Sequence, residues 1–290
     1  LSATATNHNR RYPLLIAILL ALVVAAMNIG LWWWSNLPHG PEDWHGKIDG
    51  FSLSVFQRYQ SPFKQDYPSD DEITADLKLL HRYTDNVRTY TMQQNPQLYQ
   101  LAQNQGLKVM AGTEIDKRLD NNEREIEVLI AKARAYPETI TRVIVGNEVL
   151  FRNDLTPEQM MAYLDRVRAA LHQPVSIAEP DYIWLKYPEL AEHVDFITIH
   201  LFPFWNGVPI SDSRSRPVAA NQALGAYEAI RNRFPNKPIV VGEIGWPSNG
   251  DRHEYANPSV SNEAIFIREW MNIAKSNHID YFLLEAFDQP

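Results

Sequence analysis

The chain has 290 residues, 45% hydrophobic and 21% charged, which is far too apolar for a disordered polypeptide and long enough for one large domain or two small ones. The net charge is −8, and residues 1–34 contribute only Arg10 and Arg11, so the remainder carries −10. So acidic a body does not bind nucleic acid or anionic lipid through bulk charge, and the absence of cysteine excludes disulfides, thiolate nucleophiles, iron–sulfur clusters and Cys-based zinc sites.

In chain order, residues 1–12 read as a short cytoplasmic tail and residues 13–34 as a transmembrane signal-anchor. From Leu14 to Trp34, 19 of 21 residues are apolar, with only Asn28 and Gly30 interrupting. As a helix that run spans roughly 30 Å, about one hydrocarbon core. Arg10 and Arg11 precede it and Trp32, Trp33 and Trp34 close it, which places the N-terminus inside and everything after residue 35 in the periplasm or outside the cell. A signal peptide cut after Val24 and Ala26 is the rival, but the apolar sequence runs on past that point. Residues 35–49, polar with two Pro and two Gly, read as a linker.

From Gly50 onward two patterns alternate. Short β-rich runs occur at 51–56, 86–91, 107–112, 141–148, 174–179, 195–201, 238–244 and 280–286. Helical stretches lie between them at 71–84, 96–105, 123–136, 157–172, 188–193, 217–234 and 261–277. Ser69-Asp70-Asp71-Glu72 and Thr156-Pro157-Glu158 carry helix-start chemistry. Val143-Ile144-Val145 and Ile239-Val240-Val241 are continuous apolar runs, as in strands of a parallel sheet covered by helices. This order predicts a (β/α)8 TIM barrel over residues 50–290, with its eighth helix missing. With Leu1 in place of Met, that absence suggests a fragment. An open doubly wound sheet is the alternative, but no glycine-rich nucleotide turn occurs.

In a barrel the C-terminal strand ends face the active site. Strand four ends Gly146-Asn147-Glu148 and strand seven Gly242-Glu243-Ile244-Gly245-Trp246. Carboxylates at the ends of apolar strands are costly without partners. A facing pair splits its pKa values, one group ionised and one protonated, as glycoside cleavage requires.

Those residues carry a resemblance. Val145-Gly146-Asn147-Glu148 and Val241-Gly242-Glu243-Ile244-Gly245-Trp246-Pro247-Ser248, with 95 residues from Glu to Glu, resemble glycoside hydrolase family 17, which groups β-1,3-glucanases and β-1,3-glucanosyltransferases. The likeness extends to Gly50-Phe51-Ser52-Leu53-Ser54, Val87-Arg88-Thr89-Tyr90 and Glu285-Ala286-Phe287-Asp288. It implies a retaining enzyme with Glu148 as acid/base, Glu243 as nucleophile and Asn147 on the sugar 2-hydroxyl. Phe202-Pro203-Phe204 stands where many members have Tyr-Pro-Tyr, so no strand-six hydroxyl orients the nucleophile; His200 is one candidate replacement. Phe-Pro-Phe-Trp and the N-terminal anchor look most like bacterial membrane-bound members. Some of these work beside β-glucan synthases, which makes a synthase a candidate partner.

Further substrate contacts are expected from Tyr90, His200, Trp205, Trp246 and Glu285. Trp205 reads as a sugar-stacking ring and Trp246 as mixed packing and positioning. Arg88 is a weak candidate, and Glu285 and Asp288 are either sugar contacts or the polar end of a strand. No cofactor and no metal are expected; His253-Glu254 lacks the second His of a zinc motif. The substrate expected is β-1,3-glucan or a laminari-oligosaccharide, more by transglycosylation than by hydrolysis. The alternative of another class is a non-catalytic glucan-binding domain of an envelope protein, and retention of both Glu148 and Glu243 speaks against it.

Overall fold

A computed structural model of the chain describes residues 11–35, 40–57, 59–61, 64, 66–91, 96–212 and 216–287. Arg10 and Asp288 lie outside the described residues. Two compact units divide the chain at Gly40/Pro41.

The first unit is helix α1 (Arg11–Ser35). Its Tyr12–Trp34 stretch is long and apolar enough to cross a membrane. Asn28 donates to the Val24 carbonyl one turn back at 2.8 Å, so the polar residue of that stretch is satisfied within the helix.

The second unit is a closed barrel of eight strands in sequence order. The strands are β1 (Phe51–Ser52), β2 (Asn86–Arg88), β3 (Lys108–Thr113), β4 (Ile140–Asn147), β5 (Val175–Pro180), β6 (Ile197–Leu201), β7 (Ile239–Ile244) and β8 (Asp280–Leu283), all paired in parallel. Parallel neighbours need crossovers, and helices supply them: α2 (Asp70–Leu80), α3 (Leu98–Gln105), α4 (Leu119–Ala135), α5 (Pro157–Ala170), α6 (Asp181–Lys186), α7 (Ala219–Arg233) and α8 (Val260–Asn277). The open-sheet alternative is thereby excluded.

Side-chain alternation divides the strands between two surfaces. Val109, Val143, Val145, Val241 and Tyr281 pack in one large cluster with helix residues such as Leu77, Ile126, Leu164 and Phe266. Met110, Ile144, Val240 and Phe282, each one residue out of phase, form a small separate cluster that fills the barrel interior. Helix starts follow the sequence chemistry: Ser69 and Glu72 close a capping box on α2, and Thr156 and Gln159 another on α5.

Three features differ from the sequence reading. β1 keeps only two residues in the ladder where six are expected. α6 is a helix that periodicity does not announce; six residues are too few for a 3.6 pattern, and it is held by buried Ile183 and by Trp184, whose indole N–H donates to the Thr198 carbonyl at 2.9 Å. α4 starts four residues before Glu123. Among the described residues no helix follows β8.

Candidate active site

The strand registers slip close to the C-terminal ends of the barrel. Shifts fall between Ile144 and Asn147 on β4, Ile199 and His200 on β6, and Val241 and Ile244 on β7. An extra residue in one strand re-aims the side chains that follow. The extra residue on β4 precedes Asn147 and Glu148, and the one on β7 lies beside Glu243, which pairs with His200 of β6; these groups converge.

Glu148 is positioned by an unusual backbone. Gly146 has φ +86° and Glu148 itself φ +55°, a left-handed conformation that costs a non-glycine residue about 1–2 kcal/mol. A Cβ on Gly146 would lie 2.5 Å from Val149 Cγ2, so the turn needs glycine for space as well as for φ. Hydrogen bonds hold the conformation. Glu148 N–H donates to Ala178 O at 2.8 Å, and Arg152 N–H donates to Glu148 O at 2.9 Å. Buried Glu179, at the end of β5, accepts from Leu150 N–H at 2.7 Å and Phe151 N–H at 3.2 Å. Burial pushes the Glu179 carboxyl up to about 7, against those two hydrogen bonds and with help from the Glu148 charge.

Glu243 lies opposite, with its side chain 7% exposed. Its partner is Arg88 on β2, which is completely buried. Arg88 Nη1 donates to Glu243 Oε1 at 2.6 Å and to Gly242 O at 3.0 Å; Nη2 donates to Asn147 Oδ1 at 2.5 Å. Burial alone pushes the Glu243 carboxyl up. His200, the Arg88 charge and the Arg88 hydrogen bond outweigh it, and Glu243 stays below the ordinary carboxylate range. The Tyr90 phenol is held protonated, by burial first and the Glu243 charge second, and the Arg88 guanidinium stacks 4.8 Å from its ring centre.

One oxygen of Glu148, one nitrogen of His200 and one oxygen of Glu243 all lie within 4.8 Å of one another. Three donor atoms so close match a metal site by number. Arg88, however, puts a fixed cation 2.6 Å from the Glu243 oxygen and 3.3 Å from His200 Nε2, where a metal ion would have to sit among them. Each carboxylate has its own basic partner, Arg88 for Glu243 and His200 for Glu148.

Other expected contacts are distributed unevenly. His200 and Trp246 are expected as sugar contacts, but the structure buries both, to 1% and 3% exposure. His200 Nδ1 lies 2.8 Å from Glu148 Oε1, and Trp246 uses its indole N–H on Asn257 O at 3.0 Å. Both therefore support the site from behind. Trp205 is 65% exposed on the rim and meets Phe204 edge-on at 5.2 Å. Phe202, Phe204, Trp205, Trp246 and Pro247 line an apolar cavity of about 240 Å³ between the ends of β6, β7 and β8. Glu285 is half-buried and accepts from Ser54 N–H at 2.9 Å; burial, opposed by that bond and reinforced by the Glu243 charge, pushes it up to about 7. A further hollow, lined by Asp49, Arg142 and Asp280, lies at the opposite end of the strands, away from these groups.

Arg88 and Glu179 are the residues that sequence reasoning undervalued or missed. A charged residue inside the apolar strand Val87-Arg88-Thr89 is the signal for the first; Glu179, on a β-rich run, carried a similar signal.

The sequence profile of the BtgE/BtgC glycoside hydrolase domain matches residues 50–290. Glucan endo-1,3-beta-glucosidase btgC of Emericella nidulans is 27% identical over 248 residues, which cover 77% of this chain and 38% of that protein. The chain thus spans under two fifths of that relative's length. Glucan 1,3-beta-glucosidase of Schizosaccharomyces pombe is 29% identical over 237 residues, 76% of this chain and 72% of that one. An active-site mutant of Rhizomucor miehei β-1,3-glucanosyltransferase in complex with laminaritriose shares the fold with a TM-score of 0.73 and 27% identity, covering 83% of this chain and 87% of that one. The chain belongs to the BtgE/BtgC glycoside hydrolase domain family.

Proposed function

We propose that residues 50–290 form a retaining catalytic domain that acts on β-1,3-glucan through a glucosyl ester on Glu243. The observation that carries this reading is the close approach of Glu148 and Glu243, with carboxylate oxygens within 4.8 Å. Retaining enzymes place the two carboxyl groups about 5–5.5 Å apart, and inverting enzymes about 6.5–9.5 Å. Glu243, kept ionised by Arg88, attacks the anomeric carbon while Glu148 gives its proton to the leaving oxygen. Glu148, now a carboxylate, then takes a proton from the incoming water or sugar hydroxyl, whose oxygen displaces Glu243. Asn147 has its oxygen fixed by Arg88 at 2.5 Å, which directs its amide nitrogen to the sugar 2-hydroxyl as a donor. Trp205 offers an exposed face for pyranose stacking.

Transfer to a sugar hydroxyl is the favoured outcome, supported by the likeness to the Rhizomucor glucanosyltransferase. Hydrolysis differs only in the acceptor. In the cell we place α1 as a signal-anchor in the plasma or inner membrane, with residues 1–12 cytoplasmic, 35–49 a linker and the barrel outside, beside a β-glucan synthase whose product it remodels. Mass spectrometry on a defined laminari-oligosaccharide tests the chemistry: products longer than the substrate are expected. Shorter products alone mean hydrolysis, and no products at all mean a binding domain. A reporter fused after Pro290 tests the topology and is expected to be active only outside the cytoplasm.

A further inference from the structure

The hydrogens of Arg88 can be followed one by one. Each terminal nitrogen of a guanidinium carries two. Those of Nη1 go to Glu243 Oε1 at 2.6 Å and Gly242 O at 3.0 Å. One of Nη2 goes to Asn147 Oδ1 at 2.5 Å, and the other meets His200 Nε2 at 3.3 Å. Arginine is always protonated and only donates, so His200 Nε2 must accept. An imidazolium would set a second N–H, and a second positive charge, against that guanidinium in a buried site. His200 is therefore neutral with its proton on Nδ1, and Nδ1 lies 2.8 Å from Glu148 Oε1.

We infer that His200 is a positioning residue whose tautomer, fixed by Arg88, donates to Glu148 Oε1 and so makes Oε2 the oxygen that exchanges the proton during glycosyl transfer. This rests on the roles proposed above for Glu148 and Glu243. With Oε1 occupied by an N–H, the proton of the acid form sits on Oε2. No proton leaves His200 in either step. The chain thereby joins the two carboxylates: Glu243 holds Arg88, Arg88 sets the imidazole, and the imidazole holds Glu148.

The titratable and charged groups around the ring come from each adjoining element. They are Glu148 from β4, Arg88 from β2 and Glu243 from β7, whose Oε1 is 3.5 Å from Nε2. From β5 comes Glu179, the neighbour of Pro180, which pairs with His200. Gly242 is needed for the neighbouring strand, since a Cβ there would lie 2.6 Å from Thr198 Cγ2.

Two variants separate the two ring nitrogens. In His200→Asn the amide occupies the Nδ1 position and keeps a donor on Glu148. In His200→Gln the amide reaches the Nε2 position, keeps an acceptor for Arg88 and withdraws the donor from Glu148. The full chain in detergent is assayed for kcat/KM against pH, on a laminari-oligosaccharide and on an aryl glucoside whose leaving group needs no acid. On the oligosaccharide, the alkaline limb of His200→Gln is expected about one pH unit above wild type, and that of His200→Asn in place. A limb that stays put in His200→Gln, or moves equally in both variants, overturns the inference. If the acid/base reading itself is wrong, wild type shows the same alkaline limb on both substrates, which tells the two failures apart. Should the variants not fold, histidine-labelled wild type gives the answer by nitrogen NMR at the pH of maximal activity. A protonated Nδ1 and a bare Nε2 are expected on His200, and the opposite tautomer or a doubly protonated ring overturns the inference.

Discussion

Replacing Arg88 with Met keeps the apolar stem of the side chain and removes the guanidinium and its charge. The Arg88–Glu243 pair is almost dry, its side chains 1% and 7% exposed. Breaking such a pair from one side leaves an uncompensated buried carboxylate and costs about 3–5 kcal/mol. Against a domain stability of about 5–15 kcal/mol, the variant folds at room temperature with a melting temperature lower by on the order of 10 °C. The pH response also weakens. In wild type the depressed Glu243 pKa contributes stability that is present above the unfolded value of 4.5 and lost as pH falls through the folded value. Without Arg88 the charge and hydrogen bond that oppose burial are gone, so the folded pKa of Glu243 rises and the stability gained above 4.5 shrinks. Nucleophile and stability therefore weaken together, because Glu243 loses the partner that aims it and holds its charge. Denaturant melts at pH 5 and pH 8, with stopped-flow trapping of a glucosyl-enzyme by an activated 2-fluoro-glucoside, read both effects. We expect trapping at pH 7 to slow by about 10³-fold, equivalent to roughly 4 kcal/mol. Arg88→Met with the wild-type pH slope and wild-type trapping rate refutes the placement of Arg88 as the group that keeps Glu243 ionised.

Three further outcomes are expected. Glu243→Ala forms no glucosyl-enzyme on any substrate, whereas Glu148→Ala still reacts with an activated aryl glucoside and releases a β-glucosyl azide when azide is added; a Glu148→Ala protein equally inert on every substrate contradicts the assignment. Gly245→Ala puts a Cβ 2.2 Å from the Leu284 carbonyl oxygen, a backbone atom that cannot rotate away, so thermal melting should show a loss of about 3 kcal/mol or more. Glu285 has its pKa raised from 4.5 to about 7, so it costs the fold nothing below 4.5 and progressively more as pH rises through 7. Glu285→Gln keeps an acceptor for Ser54 N–H and should gain about 1–2 kcal/mol at pH 8, after allowance for its partial exposure, and nothing at pH 4.5; equal melts at both pH values count against the burial explanation.

The barrel was legible because burial on both faces leaves its mark in composition: Val143-Ile144-Val145 and Ile239-Val240-Val241 need no structure to be read as parallel strands. Capping residues marked α2 and α5 for the same reason, their chemistry being local. Glu148 and Glu243 were legible as charges at the ends of such runs. What binds them together was not. The register slips before Asn147 and His200 and around Glu243 arise from pairing between strands, which no single strand's pattern records. Arg88 looks like one charge in a short strand until β2 is seen to face β4, β6 and β7 across the barrel. His200 and Trp246 look like cleft residues in a linear reading because both follow strand residues near the mouth. Their burial is a property of neighbours far away in sequence, Glu148 for one and Phe204 and Phe266 for the other. Phe202-Pro203-Phe204 raised the question of what replaces a tyrosine hydroxyl near the nucleophile; Arg88, on the second strand, stands there instead.

The circumference of the barrel is unequal. β3 and β4 share five register pairs, while β1 meets β8 at Phe51 and Leu283 alone. Beyond that pair the seam is closed by Leu283 N–H on Gly50 O, Ala286 N–H on Ser52 O and Ser54 N–H on Glu285. Local opening takes the thinnest closure first. Amide exchange should accordingly be fastest among the barrel strands at Ser54, Leu283 and Ala286. The next strands out from β1 and β8 are β2 and β7, which carry Arg88 and Glu243. A breathing motion there separates the guanidinium from the carboxylate while every helix is still formed. On slow heating, turnover should then fade several degrees before the helical signal does, and the working lifetime of the protein is set by the opening of two residues rather than by the melting of the whole.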